Sequence, residues 1–357
     1  MVIDSVTLYT VGMTLRDPFV TATDAQPTRT LLLVSITSGN FVGWAECSAD
    51  GSTYCRGESA ETARLALGQV APALLGSPVV EPQSNRELVP SPMAATALEG
   101  ARWDLYAKSN RLPLAIALKG KLDGVPSRAV LGRSDHLLDR AEQAIEQGYR
   151  SLKIKLTPSD DLAGLRSVRA GYPDVGIAVD FNGSASHGPE YPSYWDQLDD
   201  LDLEFIEQPF QPADHLLSEQ LLKRSRTPIC LDESVRDRHQ AARAANQGFL
   251  INLKAAKFGG AVEARTIWRD LPAGQGWWGG MLETGIGRAH SVALATLPGA
   301  TLASDLAASD RYYTEDLTEP FTLSEGRITP ADRPGIGVEV DLAVLDRLNT
   351  RPPDRFL

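Results

Sequence analysis

Five ionisable residues recur at one period through the middle of this chain: Lys155, Asp180, Glu207, Asp232 and Lys254, separated by 25, 27, 25 and 22 residues. Each closes a short apolar run, as in Gly176-Ile177-Ala178-Val179-Asp180 or Pro228-Ile229-Cys230-Leu231-Asp232. That spacing is one strand plus a returning helix, so the five side chains are expected at the same end and the same level of a parallel sheet. Three carboxylates crowded together repel unless a cation joins them, and hard oxygen donors suit Mg²⁺, with Mn²⁺ as a substitute. A divalent ion on both oxygens of a substrate carboxylate stabilises the enediolate left when the α-proton departs. One ammonium on each side, Lys155 and Lys254, could remove or return that proton. Separately solvated strand ends would also display the three acids, but not the flanking lysines.

The stretch Ser151-Leu152-Lys153-Ile154-Lys155-Leu156 sharpens this expectation. In a strand, Lys153 and Lys155 leave the same face, opposite to Leu152, Ile154 and Leu156. An edge strand guarded by lysines would carry the same six residues. If the face is inward, Lys153 presses on Lys155 with like charge, in the direction a basic lysine needs. Glu204 lies too early in its run to join the row. Asp232 and Glu233 are adjacent, so on a regular strand they cannot both face inward.

The elements that must position these residues follow a simple grammar. Residues 1 to 50 alternate in strand fashion around the turn Ser38-Gly39-Asn40, which predicts an antiparallel meander. Met13 to Phe19 reads as an apolar connecting loop, packed on its own domain or serving as a lid. Residues 56 to 118 turn helical, with Leu98, Ala101 and Leu105 at helical spacing. After Gly124-Val125-Pro126, eight short apolar runs alternate with helical segments, from Ala129-Val130-Leu131 to Thr301-Leu302-Ala303-Ser304, as in a (β/α) barrel. The expected division is an α+β capping domain over 1–120, a barrel over 121–325 and a segment over 326–357 that returns to the cap.

Composition narrows the partners. A net charge of -11 on 357 residues argues against broad nucleic-acid binding or an anionic membrane surface, while allowing a small basic pocket for an anionic carboxylate substrate. Cys47, Cys55 and Cys230 form no CxxC pair and fit free thiols in a reducing, cytoplasmic setting. No apolar run approaches transmembrane length. Self-association into a homo-oligomer is left open.

Lys153-Ile154-Lys155, Asp180-Phe181-Asn182, Glu207-Gln208-Pro209, Leu231-Asp232-Glu233-Ser234 and Asn252-Leu253-Lys254, in this order, resemble the enolase superfamily in its muconate-lactonising branch. The stretches Gly279 to His290 and Ala303 to Phe321 are similar to the o-succinylbenzoate synthases, in the subgroup that includes N-succinylamino acid racemases. The resemblance implies a modified TIM barrel, (β/α)7β, with a capping domain. It implies Asp180, Glu207 and Asp232 as Mg²⁺ ligands and Lys155 and Lys254 as the groups flanking the α-carbon. Asn182, Glu233 and Lys153 would support them from behind, and Phe19 would reach the substrate from the cap. The implied reaction is dehydration of 2-succinyl-6-hydroxy-2,4-cyclohexadiene-1-carboxylate, with N-succinylamino acid racemase as the alternative and muconate cycloisomerase further off. The Gly-rich loop would offer the amides of Gly285 and Gly287 to a carboxylate. It is not a dinucleotide fingerprint. Lys257 departs from the arginine common in the bifunctional members, and Asp305-Leu306-Ala307 lacks the Asp-x-Asp of dipeptide epimerases.

Overall fold

The computed structural model describes residues 1–20, 25–52, 54, 55, 57–157, 162–185, 188 and 191–357, without the side chains of 17–20, 25, 26 and 310. The N-terminal part is an antiparallel sheet of Ser5–Val20, Ala25–Ser38 and Phe41–Cys47, to which the C-terminal strand Asp354–Phe356 adds an edge through Val6↔Phe356. Helices Ala60–Leu74 and Pro92–Ser109 cover it. Gly43 lets the sheet touch the second helix: a Cβ there would meet the Ala101 carbonyl oxygen at 2.2 Å.

The connecting loop expected at Met13 to Phe19 is instead the second half of one long strand, Ser5–Val20. Val11, Met13 and Leu15 are buried on one face, so the apolar residues that suggested a lid are period-two core positions. Phe19 pairs with Gln26 through the backbone, and its side chain lies outside the described residues.

Among the described residues seven parallel strands follow, paired in chain order: Ala129–Leu131, Ser151–Lys155, Gly176–Asp180, Ile206–Glu207, Ile229–Leu231, Leu250–Leu253 and Gly276–Trp278. Helices lie between them, several with clear local causes. Arg238–Gln247 starts where the Asp237 carboxylate accepts the Gln240 N–H, a cap contributing about 1 kcal/mol, and it stops at left-handed Gly248. Outward residues such as Ile177, Val179, Ile206, Ile229, Ile251 and Leu253 join the large core with the helices. Inward Ala178, Phe205, Cys230 and Trp277 form a small separate core along the axis. The eighth strand expected at Thr301–Ser304 is reduced to one parallel bridge, Ser304 to Ser127, in which the Arg128 N–H donates to the Ser304 carbonyl at 2.8 Å. That bridge brings residue 304, and Asp305 after it, beside the first barrel strand.

Among the described residues no helix is long and apolar enough to cross a membrane. All three cysteines are free and buried.

Candidate active site

The strand register decides where the row of charged residues stands. Lys155 is level with Asp180, and Asp180 with Glu207, across neighbouring strands. Glu207 is level with Cys230, so Asp232 stands two residues further along; Cys230 is level with Leu250, so Lys254 stands four further. The single level inferred from spacing is therefore a staircase, because barrel strands are staggered along the axis. The side chains close the gap: Lys254 Nζ donates to Asp232 Oδ2 at 2.7 Å.

Each acid of the row meets a lysine. Lys155 Nζ donates to Asp180 Oδ2 at 2.6 Å and to Asn182 Oδ1 at 2.8 Å. Lys153, 3 % exposed, donates to Glu207 Oε2 at 2.8 Å and lies 3.2 Å from Asp180 Oδ2 and 2.5 Å from Asp305 Oδ2. Lys257 Nζ spends its three protons on Asp232 Oδ1, the Asp232 carbonyl and the Asn252 carbonyl, at 2.7, 2.9 and 2.6 Å. An ammonium, with three donors on one atom, thus matches three acceptors that converge on one point. Lys153 faces inward, so the edge-strand alternative falls. Its like charge beside Lys155 is compensated by three carboxylates rather than standing alone.

These pairings shift proton affinities in opposite directions. Burial opposes charge on Asp180 and Asp232, but Lys155 and Lys153 hold the first, and Lys254 and Lys257 the second, below the usual carboxylate range. Burial, with Asp180 and Asp232 close by, pushes Glu207 up to about 7. Burial next to Asp232 and Asp180 pushes Glu233 up to about 7 as well. Although burial disfavours its charge, Lys254 is held well above its ordinary value by Asp232.

Asp232 and Glu233 both reach the site, against the alternation expected of a strand. The strand ends at Leu231, and the buried Gln208 side chain gathers the turn beyond it by accepting the N–H groups of Asp232 and Ser234 at 3.0 and 3.2 Å. Glu233 Oε1 can then accept from Asn182 Nδ2 at 3.0 Å. Asn182 and Gln208 themselves have φ of 45° and 37°, backbone strain concentrated at the tips of two adjacent strands. Gly279 leaves space for the neighbours: a Cβ there would stand 2.1 Å from Asn252 Oδ1 and 2.8 Å from Lys254 Cε.

The amides of the Gly-rich loop are committed within the protein, which corrects their expected role. The Gly285 N–H donates to both carboxylate oxygens of Asp316, at 2.9 and 3.0 Å, and Gly287 N–H donates to Glu46 Oε2 at 3.3 Å. The N-terminus of helix Gly285–Ala295 is thus an anion site that the chain fills with its own acids. Glu46 also accepts from the Thr284 N–H and hydroxyl, at 2.9 and 2.5 Å, so it ties the cap sheet to the barrel. Burial raises it to about 7.

Two models from known families match this chain: the mandelate racemase / muconate lactonizing enzyme N-terminal domain over residues 3–118, and the enolase C-terminal domain-like family over 136–344. The chain belongs to the enolase superfamily. Within that superfamily it is similar to "o-succinylbenzoate synthase" of Bacillus subtilis (strain 168), 36% identical with 98% of this chain and 97% of the relative covered. It is equally similar to "N-succinylamino acid racemase" of an Amycolatopsis species, 36% identical over 98% of each. A crystallised superfamily member from Listeria innocua Clip11262 superposes with a TM-score of 0.92 at 29% identity, covering 100% and 99% of the two chains.

Superfamily members use a divalent metal ion, and the donor chemistry here fits one. Among the described residues no three acidic, histidine or cysteine side chains are gathered as a finished cage. Yet Asp180, Glu207 and Asp232 are hard, buried oxygen donors on adjacent strands, and the field that raises Glu207 to about 7 is one that a cation relieves.

Sequence reasoning missed several members of the site. Tyr54, from the cap, donates its hydroxyl to Asp232 Oδ1 at 3.3 Å, accepts from Lys254 Nζ at 3.0 Å and places its ring 4.9 Å from that ammonium. No periodicity marks a lone loop tyrosine. Asn252 donates to Glu207 Oε1 at 2.7 Å; its position two before Lys254, on the same strand face, was the available signal. Asp305, which falls within the Ala303 to Phe321 stretch but is given no role by it, holds Lys153.

Proposed function

We propose that this chain is an o-succinylbenzoate synthase, dehydrating 2-succinyl-6-hydroxy-2,4-cyclohexadiene-1-carboxylate to 2-succinylbenzoate. The observation that carries the reading is the row Lys155, Asp180, Glu207, Asp232 and Lys254 along adjacent strand ends, acids in the middle and a lysine at each end. The names of full-length relatives at 34–36% identity add the product.

Asp180, Glu207 and Asp232 would hold Mg²⁺, with Mn²⁺ as a substitute, and the bound ion supplies positive charge against the substrate's ring carboxylate. Lys155 removes the α-proton and then returns a proton to the departing hydroxyl, so that water leaves and the ring becomes aromatic. Asn182, accepting from Lys155 Nζ and donating to Glu233, fixes the direction of that ammonium. Lys254, clasped by Asp232 and by the Tyr54 hydroxyl and ring, keeps a standing positive charge on the opposite side. Both lysines have an acid partner, so it is the added hold of the Tyr54 hydroxyl and ring on Lys254 that favours the dehydratase, which needs one moving proton carrier, over a racemase, which needs two. N-succinylamino acid racemase is the second reading, favoured by the Amycolatopsis relative at equal identity.

The same reading includes a cap over 1–120, a barrel over 121–325 and a returning segment over 326–357, a small anionic carboxylate as ligand, self-association, and a cytoplasmic setting in keeping with the free thiols. The test is to give the purified protein both substrate types with Mg²⁺. Dehydration of the cyclohexadiene is expected to outrun α-proton exchange of N-succinyl amino acids in D₂O by at least about tenfold. Exchange of both enantiomers at a rate equal to or above dehydration would replace this reading with the racemase.

A further inference from the structure

Lys153 poses a problem for the site just described. Its ammonium is buried inside the barrel, 5.3 Å from the Trp277 ring, and contacts Asp180 Oδ2 and Glu207 Oε2, two of the acids proposed to hold the cation. A buried lysine there competes with a divalent ion for the same oxygens.

The shortest of its three contacts leads elsewhere, to Asp305 Oδ2 at 2.5 Å. Asp305 is 5 % exposed and comes from the bridge that stands where an eighth strand is expected, opposite the acid row. Its other oxygen, Oδ1, has no hydrogen-bond partner among the described residues and faces Arg128 Nη1, likewise unpartnered, at 3.8 Å. Arg128 cannot drift, because Ser151 and Glu204 hold its Nε and Nη2 at 2.9 and 2.7 Å and the rings of Phe205 and Trp277 lie 4.7 and 5.2 Å away. Asp305 is therefore braced by a fixed cation from the closed end of the barrel and draws Lys153 from the open end.

We propose that Asp305 is a positioning residue: its short contact gives the Lys153 ammonium a partner to keep when Asp180 and Glu207, which it also touches, turn to a divalent ion. Formal charge agrees. Lys153, Lys155, Lys254 and Lys257 face Asp180, Glu207, Asp232, Glu233 and Asp305 in one buried cluster. A divalent ion together with one substrate carboxylate brings that cluster to neutrality, and without Asp305 it would carry an uncompensated positive charge in a region of low dielectric.

This inference rests on the metal-binding role given above to Asp180 and Glu207, and direct binding of Mn²⁺ to the full chain, followed by calorimetry, separates the two. Asp305→Asn is expected to weaken Mn²⁺ binding by roughly tenfold, whereas in a Lys153→Met background the same change should alter affinity less than about twofold. A general loss of packing would not vanish when Lys153 is removed. Wild-type affinity in Asp305→Asn, or an equal loss with and without Lys153, overturns the proposal. If Asp305→Asn does not fold, Asp305→Glu keeps the charge at altered reach and is expected to weaken binding a few-fold, only while Lys153 is present; wild-type affinity there is equally fatal. Wild-type protein that binds no Mn²⁺ removes the metal reading and this inference with it, while wild-type binding beside an unaffected Asp305→Asn removes only the role of Asp305.

Discussion

At the closed end of the barrel, Arg128 meets Glu204 at 2.7 Å and Ser151 at 2.9 Å between two aromatic rings, one cation matched to one acid. At the mouth, a few residues further along the same strands, acids outnumber lysines, Glu207 and Glu233 are pushed up to about 7, and Glu233 Oε2 has no partner among the described residues. Both ends bury ionisable groups, but acids outnumber cations only at the mouth. A barrel that needed these charges for folding alone would pair them as it does below. Mismatch that persists in a buried site marks the end where a charged ligand completes the balance.

The largest effect should come from emptying the mouth. Chelation with EDTA is expected to abolish turnover and Mg²⁺ to restore it, while the fold persists, with unfolding free energy lowered only by the lost binding, about 2.7 kcal/mol if the ion had been at a hundredfold excess over Kd. Circular dichroism alongside the assay checks both halves, and activity that survives chelation would break the contrast. Next, Lys155→Ala should reduce kcat by about 10³-fold or more with little change in melting temperature. A loss under tenfold would mean that Lys155 is only a paired structural charge, like Arg128.

At the closed end the sign of the experiment reverses. Arg128→Met should cost about 3 kcal/mol in urea unfolding, near the low side for a broken buried pair because Glu204 retains 27 % side-chain exposure. Arg128→Met with wild-type stability would show that the closed end is no more structural than the mouth.

The smallest effect, per pH unit, concerns Glu46, which links cap to barrel. Its carboxyl is raised to about 7 in the fold from 4.5, so between those values the folded state binds the extra proton. Its contribution to stability is present at low pH and is lost as pH rises toward about 7, with a slope of at most about 1.4 kcal/mol per pH unit. Glu46→Gln should flatten that part of the stability profile from pH 5 to 7. An unchanged profile would remove Glu46 as a titrating link.

Much of this is legible in the sequence alone. The strand-end row is, because strand-plus-helix spacing and residue type are both local properties of sequence, and so are the inward Lys153 and the alternation of the barrel. The length of the first strand was misread at Met13 and Leu15, since a period-two apolar stretch resembles an exposed loop until its partner Ala25–Ser38 is known. Gly285 and Gly287 were assigned to a substrate because their amides form an anion site; that Asp316 and Glu46 fill it depends on residues 31 and 241 positions away.

The sequence by itself determined which groups can do chemistry here, and in what order around a barrel, since one strand and one helix repeat at nearly constant length. Only the tertiary structure decided which acid each lysine serves. Lys155 goes to Asp180, Lys254 and Lys257 to Asp232, and Lys153 is shared between Glu207, Asp180 and Asp305. Strand stagger, a gathered turn at Gln208 and a single bridge at Ser304 set those distances, and at a few ångströms in a buried site such distances control the electrostatics.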